Sequence, residues 1–237
     1  MKYITNSQFG DYRLGNQIYQ YIFLLIISKI SKRIIIFNEN QSNTIKLNKY
    51  FKIKLNFLND IDFEITYKEN TFDYDSELID KICRDNSDIV NINGFFQSYH
   101  YIEKHNISIH NEFKLKDKYY NKLNFIYKNI TSNANGKNLV SLHVRRGDYI
   151  KYYQYHIILP PMYFIKSLLH FDENNFFVIC SDDIEWCKRF FFSLGNRCYY
   201  SENEEIIDLY LMSMCDHHII SNSSYSLFST MLSKFDL

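Results

Sequence analysis

The chain has 237 residues, of which 46% are apolar, and its 27 Lys and Arg residues balance 27 Asp and Glu residues. A chain of this length and composition can bury a core as one large domain or two modest ones. Because the formal net charge is zero, no global positive field attracts nucleic acid or an anionic membrane. We therefore expect no nucleic-acid partner, and any bound anion must be held by a local group of residues.

The five cysteines are scattered and include no CxxC pair, which argues against a disulfide framework and against a zinc site. A reducing compartment, the cytoplasm, is the simplest prediction. The most apolar stretch, residues 19–30, is interrupted by Lys29 and is too short to cross a bilayer, so we interpret it as a buried helix. No cleavable signal and no transmembrane segment are expected. Peripheral membrane association and the oligomeric state are left open.

Strand-like and helix-like segments alternate from the start of the chain. A strand at 2–5, a long apolar helix at 16–31 and a strand at 33–37 form a predicted βαβ opening. Residues 38–88 mix polar and aromatic residues and predict irregular loops and short helices, before a strand at 88–93.

Residues 132–136 (SNANG) have the most linker-like composition in the chain and follow an amphipathic run at 116–130. We therefore predict two domains, 1–136 and 137–237. The elements predicted in the second are a strand at 138–144, a helix at 162–170, a strand at 176–180, a helix at 184–192, a strand at 197–200, a helix at 204–214, a strand at 217–221 and a closing helix. This alternation predicts an α/β fold with a mostly parallel, Rossmann-like sheet.

Ligands of such sheets lie beyond the carboxyl ends of the strands, where three loops carry polar residues. In the first loop Arg145 and Arg146 follow a strand directly. The planar guanidinium of Arg145 is suited to a bidentate contact with phosphate. The alternative is that the two arginines form ion pairs with Asp148 or with glutamates.

The second loop places Asp182 and Asp183 at the start of a helix. One of them is expected to cap that helix, where the helix dipole stabilises a carboxylate. The other can accept two hydrogen bonds, as from the N1–H and the amino group of guanine. The pair is not a D-x-D motif, so we predict no metal.

The third loop is a polar cluster at the start of the last helix. Its members are Asn222, Ser223, Ser224 and Ser226. Hydroxyl and N–H groups at a helix start form an anion site without charge, although capping alone explains one serine. At the amino end, Asn16 and Gln17 begin the first helix, either as a cap or as ligand contacts. The chain has no Walker A or G-x-G-x-x-G motif, which argues against P-loop nucleotidases and dinucleotide dehydrogenases.

Five ordered segments resemble the α-1,2-fucosyltransferases of glycosyltransferase family 11. They are RLGNQIYQY (13–21), GFFQSYHYIE (94–103), SLHVRRGDY (141–149), CSDDIEWCK (180–188) and DLYLMSMCDHHIISNSSYS (208–226). The resemblance implies a GT-B-like α/β architecture, in which two Rossmann-like halves face a cleft. It makes 1–136 the acceptor-side domain and 137–237 the donor-binding domain.

The same resemblance implies that fucose is transferred from GDP-fucose to the 2-hydroxyl of a galactose-type acceptor glycan. The transfer would invert the anomeric centre and need neither a metal nor another cofactor. Two alternatives stay open: the same fold using another GDP-sugar or linkage, and an inactive nucleotide- or carbohydrate-binding homologue shortened at its C-terminus.

Site roles also follow from the resemblance. Arg145 would hold the β-phosphate and stabilise the leaving GDP. His143 and one of Asp182 or Asp183 would contact the nucleoside. The pyrophosphate would lie against Ser223, Ser224 and Ser226, next to Asn222.

Asn16, with Gln17 beside it, would contact the donor phosphate or the acceptor, and Arg146 would support the phosphate loop. The general base is left open. Asp148 is the nearest acid, although a salt bridge to Arg146 is equally compatible with its position, and His156 and Glu103 are weaker candidates.

Overall fold

A computed structural model of the protein describes residues 1–233 and divides the chain into two compact units, Met1–Lys116 and Asp117–Leu237. In each unit helices pack on a four-stranded parallel sheet. The predicted α/β class with parallel sheets is therefore confirmed. No helix within residues 1–233 is long and apolar enough to cross a membrane.

The first unit is built on a sheet in the strand order β2-β1-β6-β5, with a separate parallel pair β3-β4. Its strands are β1 Tyr3–Thr5, β2 Ile34–Ile35, β3 Phe37–Asn38, β4 Phe57–Leu58, β5 Ile65–Lys68 and β6 Ile89–Asn93. Its helices are α1 Leu14–Ser31, α2 Leu47–Tyr50, α3 Ser76–Arg84, α4 His100–Lys104 and α5 Ile109–Glu112.

Helix α1 is the centre of the core of the first unit. Twelve of its residues are buried, as its continuous apolar sequence predicts, and Phe23 stacks on Phe96 with ring centroids 3.8 Å apart. The strand predicted at 33–37 is instead two short strands that belong to different sheets. The stretch 38–88 contains the short helices α2 and α3, as predicted, and also the strand β5, which was not predicted.

The buried side chain of Arg33 ties together the amino-terminal side of this sheet. Its guanidinium donates to the backbone carbonyls of Tyr3 (3.1 Å), Asp85 (2.8 Å) and Ser87 (2.9 Å). These carbonyls belong to β1 and to the turn that leads into β6. Arg33 therefore joins the start of β1 to the turn before β6 through three hydrogen bonds from one buried side chain.

The second unit has a sheet in the order β10-β7-β8-β9. Its strands are β7 Asn138–Val144, β8 Asn175–Ser181, β9 Cys198–Tyr200 and β10 His217–Ile219. Its helices are α6 Asp117–Ala134, α7 Gly147–Lys151, α8 Pro161–Leu168, α9 Ile184–Phe190, α10 Glu205–Ser213 and α11 Ser224–Met231. The register of β7 and β8 runs from Asn138↔Asn175 to Val144↔Ser181, so both strands end at the same level.

The domain boundary predicted after residue 136 differs from the division in the structure, which falls between residues 116 and 117. Helix α6 belongs to the second unit, since Lys122 pairs with Glu204 (2.9 Å) and the Tyr127 hydroxyl donates to the Met214 carbonyl (3.5 Å). The turn composition that suggested a linker marks the end of α6, where Asn135 and Gly136 adopt left-handed φ angles of 51° and 79°.

Replacing Arg33 by Met should destabilise the protein by ~3–5 kcal/mol, because it removes three hydrogen bonds from a buried guanidinium to backbone carbonyls and the ion pair of that guanidinium with Asp85 (3.7 Å). Denaturant unfolding of the purified variant measures this loss. Arg84→Met is the matched control: its side chain is 84% exposed and pairs only with exposed Asp80 among the ion pairs of the described chain. It should shift stability by under ~0.5 kcal/mol. Equal effects of the two variants would contradict the role given to Arg33.

Candidate functional site

The candidate site of the second unit lies at the carboxyl ends of β7, β8 and β10. Ser221, just beyond β10, is buried, and its hydroxyl donates to the His143 carbonyl (2.6 Å). The same hydroxyl oxygen accepts from the Arg145 backbone amide (3.1 Å). The first and third polar loops of the sequence are therefore joined at this edge of the sheet.

The Arg145 guanidinium lies between two carboxylates. Its Nη1 donates to Asp182 Oδ2 (2.6 Å) and its Nη2 to Asp148 Oδ1 (2.5 Å), while the Tyr149 ring lies 5.0 Å away. The Nε atom is buried and has no hydrogen-bond partner among the described residues. The structure therefore contains the ion pairs that the sequence left open for Arg145, together with one buried donor that they do not use.

Arg146 has a separate set of partners. Its Nε donates to Asp183 Oδ2 (3.1 Å), and its guanidinium carbon lies 4.2 Å from the centre of the Trp186 ring. The carboxylate of Asp148 pairs with Arg145, which corrects the alternative in which it pairs with Arg146. Arg146 thus ties the first loop to the start of helix α9. Its supporting role for a bound phosphate stays a prediction.

The two aspartates of the second loop have different roles. Asp183 caps α9, since its Oδ1 accepts from the Trp186 amide (3.2 Å). Asp182 Oδ1 accepts from the amides of Arg146 (2.9 Å) and Gly147 (3.1 Å). A Cβ atom at Gly147 would lie 2.5 Å from Asp182 Oδ2, so only glycine allows this close approach. The predicted contact of one aspartate with a nucleoside stays a prediction.

His143 is buried beneath these loops, with 5% of its surface exposed, and its Nδ1 has no partner within residues 1–233. Burial, helped by the nearby Arg145 cation, lowers the pKa of His143 to about 4. The ring is therefore neutral at pH 7. The group then holds two cations, Arg145 and Arg146, and three carboxylates, a net charge of −1. No cluster of three or more His, Cys, Asp or Glu side chains in the described chain could hold a metal ion.

The third loop starts helix α11. Ser223 occupies the N-cap position, but its side chain makes no capping hydrogen bond, and Ser224 is the first helical residue. Asn222 donates from Nδ2 to the Ile157 carbonyl (2.7 Å). Ser226 is fully buried and donates to the carbonyls of Ser221 and Ser223 (3.2 Å each), which corrects its predicted contact with pyrophosphate. Its hydroxyl holds the turn in shape.

Asn16 and Gln17 lie in the first unit, in the first turn of α1. Gln17 is fully buried; it donates to the carbonyls of Tyr12 (2.8 Å) and Thr44 (3.2 Å) and accepts from the Lys46 amide (2.8 Å). These bonds use its side chain to hold two loops together, which corrects its predicted role as a ligand contact. Asn16 is not the helix cap, because α1 begins at Leu14, and its Oδ1 accepts from Gln97 Nε2 (2.8 Å).

The two weaker candidates for the base have different surroundings. His156 stacks on Tyr149 with ring centroids 4.2 Å apart, so it adjoins the Arg145 loop. Glu103, in the first unit, pairs with its exposed neighbour His100 (3.0 Å). Within the second unit, Asp148 contacts Arg145 directly and His156 adjoins the same loop through Tyr149. The identity of the base stays a prediction.

Asp208 is a buried acid that was not among the predicted site residues. Asp208 is buried in the apolar helix α10 and accepts a short hydrogen bond from the Ser201 hydroxyl at the end of β9. Burial raises the pKa of Asp208 to about 7. An acid among apolar residues (EIIDLYLMS) was the available signal, since an acid in that setting requires a specific partner.

The model of the family named "Glycosyl transferase family 11" matches residues 4–236. The match spans nearly the whole sequence and includes all five segments on which the resemblance rested. The chain therefore belongs to glycosyltransferase family 11, and the family suggested by the sequence is confirmed.

Several relatives with similar sequences are named glycosyltransferases. The chain is 32% identical over 154 residues to an α-1,2-colitosyltransferase of Escherichia coli, an alignment covering 61% of this chain and 51% of the relative. It is 32% identical to the O-antigen biosynthesis glycosyltransferase WbnK of E. coli, in an alignment that covers 60% of this chain and 50% of the relative. A galactoside α-(1,2)-fucosyltransferase of Leontocebus fuscicollis is 23% identical, covering 98% and 66%. The chain thus spans about half the length of the two E. coli relatives.

Solved structures share the fold. The fucosyltransferase NodZ from Bradyrhizobium superposes with a TM-score of 0.65 at 11% identity, covering 100% of this chain and 96% of NodZ. NodZ α-1,6-fucosyltransferase co-crystallised with GDP gives a TM-score of 0.64 at 12% identity, covering 98% and 93%. The expected GT-B-like α/β class is confirmed by this likeness.

The pKa of Asp208 predicts how stability depends on pH. The folded carboxyl binds its proton more tightly than an ordinary aspartate with a pKa of 3.8. Between these two pKa values the folded state binds more protons than the unfolded state, so the free energy of unfolding should fall as the pH rises from about 4 through about 7. In Asp208→Asn the decrease in the free energy of unfolding over this pH range should be smaller than in the wild type by up to ~4 kcal/mol. Denaturant titrations at several pH values measure this difference.

Asp80→Asn is the control for that titration, since it removes a carboxylate that is 68% exposed. It should leave the pH dependence as in the wild type. If the free energy of unfolding of Asp208→Asn changes with pH as that of the wild type does, the pKa of Asp208 is not raised in the folded protein.

Proposed function

We propose that this protein transfers fucose from GDP-fucose to the 2-hydroxyl of a galactose-type acceptor, with inversion and without a metal ion. Membership of glycosyltransferase family 11 and the α-1,2 linkage in the names of several relatives support this reaction. The second candidate is transfer of another GDP-activated deoxy sugar, favoured by the relative named as a colitosyltransferase. Both reactions require a site for the diphosphate of GDP.

The observation that carries the proposal is a pair of buried nitrogen atoms at one strand end. His143 Nδ1, in β7, and Arg145 Nε, just beyond it, have no partner in the described part of the chain. A buried polar atom without a partner costs about 1–3 kcal/mol, so two such atoms at one strand end, in residues two positions apart, favour a ligand that completes them. A phosphate oxygen suits Arg145, whose planar donors favour phosphate. Neutral His143 suits an uncharged polar group of the nucleoside.

The charges of the site indicate how a diphosphate would enter. Because the cluster already has a net charge of −1, one carboxylate must leave Arg145 before a diphosphate can pair with it. The Asp148 side chain is the more exposed of the two carboxylate side chains, with 31% accessible against 19% for Asp182. Asp182 also holds two backbone amides, so Asp148 is the group that would move.

Release of Asp148 would supply the missing base. In the proposed reaction the acceptor 2-hydroxyl oxygen forms a bond to the anomeric carbon while the bond from that carbon to the β-phosphate oxygen breaks. The hydroxyl proton passes to the Asp148 carboxylate, and the electron pair of the broken bond stays on the phosphate. Arg145 and the amino end of α11 would stabilise that charge in place of a metal ion.

Binding of GDP tests the first step. Titration calorimetry should detect GDP binding to the wild type, and Arg145→Ala should weaken it by roughly 10- to 150-fold, the usual value of a hydrogen bond to a charged group. Arg189→Ala is the control, because Arg189 is an exposed arginine on α9 of the same unit. Absence of GDP binding, or equal affinities for wild type and Arg145→Ala, would refute the phosphate site.

Asp148→Asn tests the second step with two readouts of opposite sign. Turnover of GDP-fucose with a galactose-terminated acceptor should fall by roughly 10²- to 10⁴-fold, since the base is lost. GDP should bind the variant at least as tightly as the wild type, because a competing carboxylate has been neutralised. Weaker GDP binding would show that Asp148 supports the phosphate site instead.

The turnover assay also tests which GDP-sugar is the donor and whether the reaction needs a metal ion. The wild-type rate should be unchanged by a chelator, and linkage analysis of the product should show an α-1,2 bond. Faster turnover of GDP-colitose than of GDP-fucose would favour the second candidate, and inhibition by the chelator would refute the metal-free mechanism.

A further inference from the structure

The exposed apolar side chains of this protein are concentrated in one stretch. Eight of the sixteen large apolar side chains exposed in the described chain lie in residues 150–169, called here the apolar strip. They are Ile150, Tyr152, Tyr153, Tyr155, Ile157, Met162, Ile165 and Leu169. Scattered exposed apolar residues are normal on a soluble protein, whereas a contiguous group marks an interaction surface.

The second half of the strip is the outer face of helix α8. Met162 and Ile165, in α8, and Leu169, its C-cap residue, follow one another at helical spacing and are exposed, Leu169 by 79%. Phe164 points the other way into the core of the second unit, where only 2% of it is exposed. Since α8 already buries an apolar side against the protein, its outward apolar side is available to another surface.

The first half of the strip is a tyrosine-rich loop. Tyr155 and Ile157 are exposed by 82% and 76%. The loop is held to the candidate site, because the Tyr152 amide donates to the Asp148 carbonyl (2.8 Å) and Asn222 Nδ2 donates to the Ile157 carbonyl (2.7 Å). Tyrosine combines an apolar ring with a polar hydroxyl and is enriched at the boundary between lipid and water.

The charge of the apolar strip favours one kind of binding partner over the others. Residues 149–171 contain no Asp or Glu, although acidic and basic residues are balanced over the whole chain. Lys151 and Lys166 supply positive charge within the strip. Neither a neutral glycan nor a second copy of this same basic surface would require cations here, whereas an anionic lipid surface would be attracted by them.

We propose that the apolar strip docks on an anionic lipid surface, with the outer face of α8 lying in the plane of the interface and the tyrosine loop entering the headgroup region. This peripheral docking goes beyond the proposed function, since it does not depend on any transfer reaction. It would hold the Arg145 loop close to the bilayer, because the tyrosine loop is bonded to Asp148 and Asn222.

Sedimentation with vesicles tests the proposal. The wild type should pellet with vesicles of phosphatidylcholine and phosphatidylglycerol and much less with phosphatidylcholine alone. The triple variant Met162→Ser, Ile165→Ser, Leu169→Ser should bind the anionic vesicles at least ~10-fold more weakly. The matched control replaces Phe72, Phe125 and Phe192, three exposed apolar residues outside the strip, by Ser and should bind like the wild type. Thermal unfolding checks that both triple variants are folded.

A second variant keeps the apolar surface and reverses its charge. Lys151→Glu with Lys166→Glu should weaken binding by more than ~5-fold per residue on the anionic vesicles and have little effect on neutral ones. Failure of the wild type to pellet, or unchanged binding by the folded serine variant, would overturn the proposal. A wild-type oligomer that the serine variant converts to a monomer in light scattering would also overturn it, assigning the strip to self-association.

Discussion

The carboxylate of Asp182 is the contact on which the candidate site depends. It accepts from the Arg145 side chain and from the amides of Arg146 and Gly147, and so ties the end of β7 to the end of β8. The first unit has a counterpart: Glu69, just beyond β5, accepts from the amides of Phe95 and Phe96 beyond β6. In both units a carboxylate at one strand end orders the loop of the neighbouring strand.

Each of these two carboxylate–amide contacts explains why a glycine lies beside it. A Cβ atom at Gly147 would lie 2.5 Å from Asp182, and one at Gly94 would lie 2.4 Å from the Glu69 side chain. Close approach of a carboxylate to consecutive amides leaves no room for a side chain at either position. The amides neutralise part of each charge, so a loop rich in polar groups can be ordered with its donors in fixed directions.

The long, strongly patterned elements could be predicted from the sequence. The strand 138–144 is observed with those bounds, and α1, α9 and α10 differ from prediction by about two residues at most, because continuous or periodic apolar patterns report burial directly. Strand β5 was missed because it has only four residues and none of them is buried, so its apolar–polar alternation is too short to distinguish it from the surrounding mixed sequence. The loops were identified correctly as strand-end loops, since their position follows from the alternation of strands and helices.

Sequence alone determined the kind of chemistry: two arginines, two aspartates and a serine cluster at strand ends, in an order that resembles one enzyme family. Only the tertiary structure decided how these groups are paired. Arg145 meets Asp182 across 37 positions of sequence, Asp183 rather than Asp182 caps the helix, and Gln17 and Ser226 face inward. Neighbouring residues of similar chemistry cannot be told apart by type. Their roles are set by distances and burial that exist only once the parallel strands have brought their carboxyl ends together.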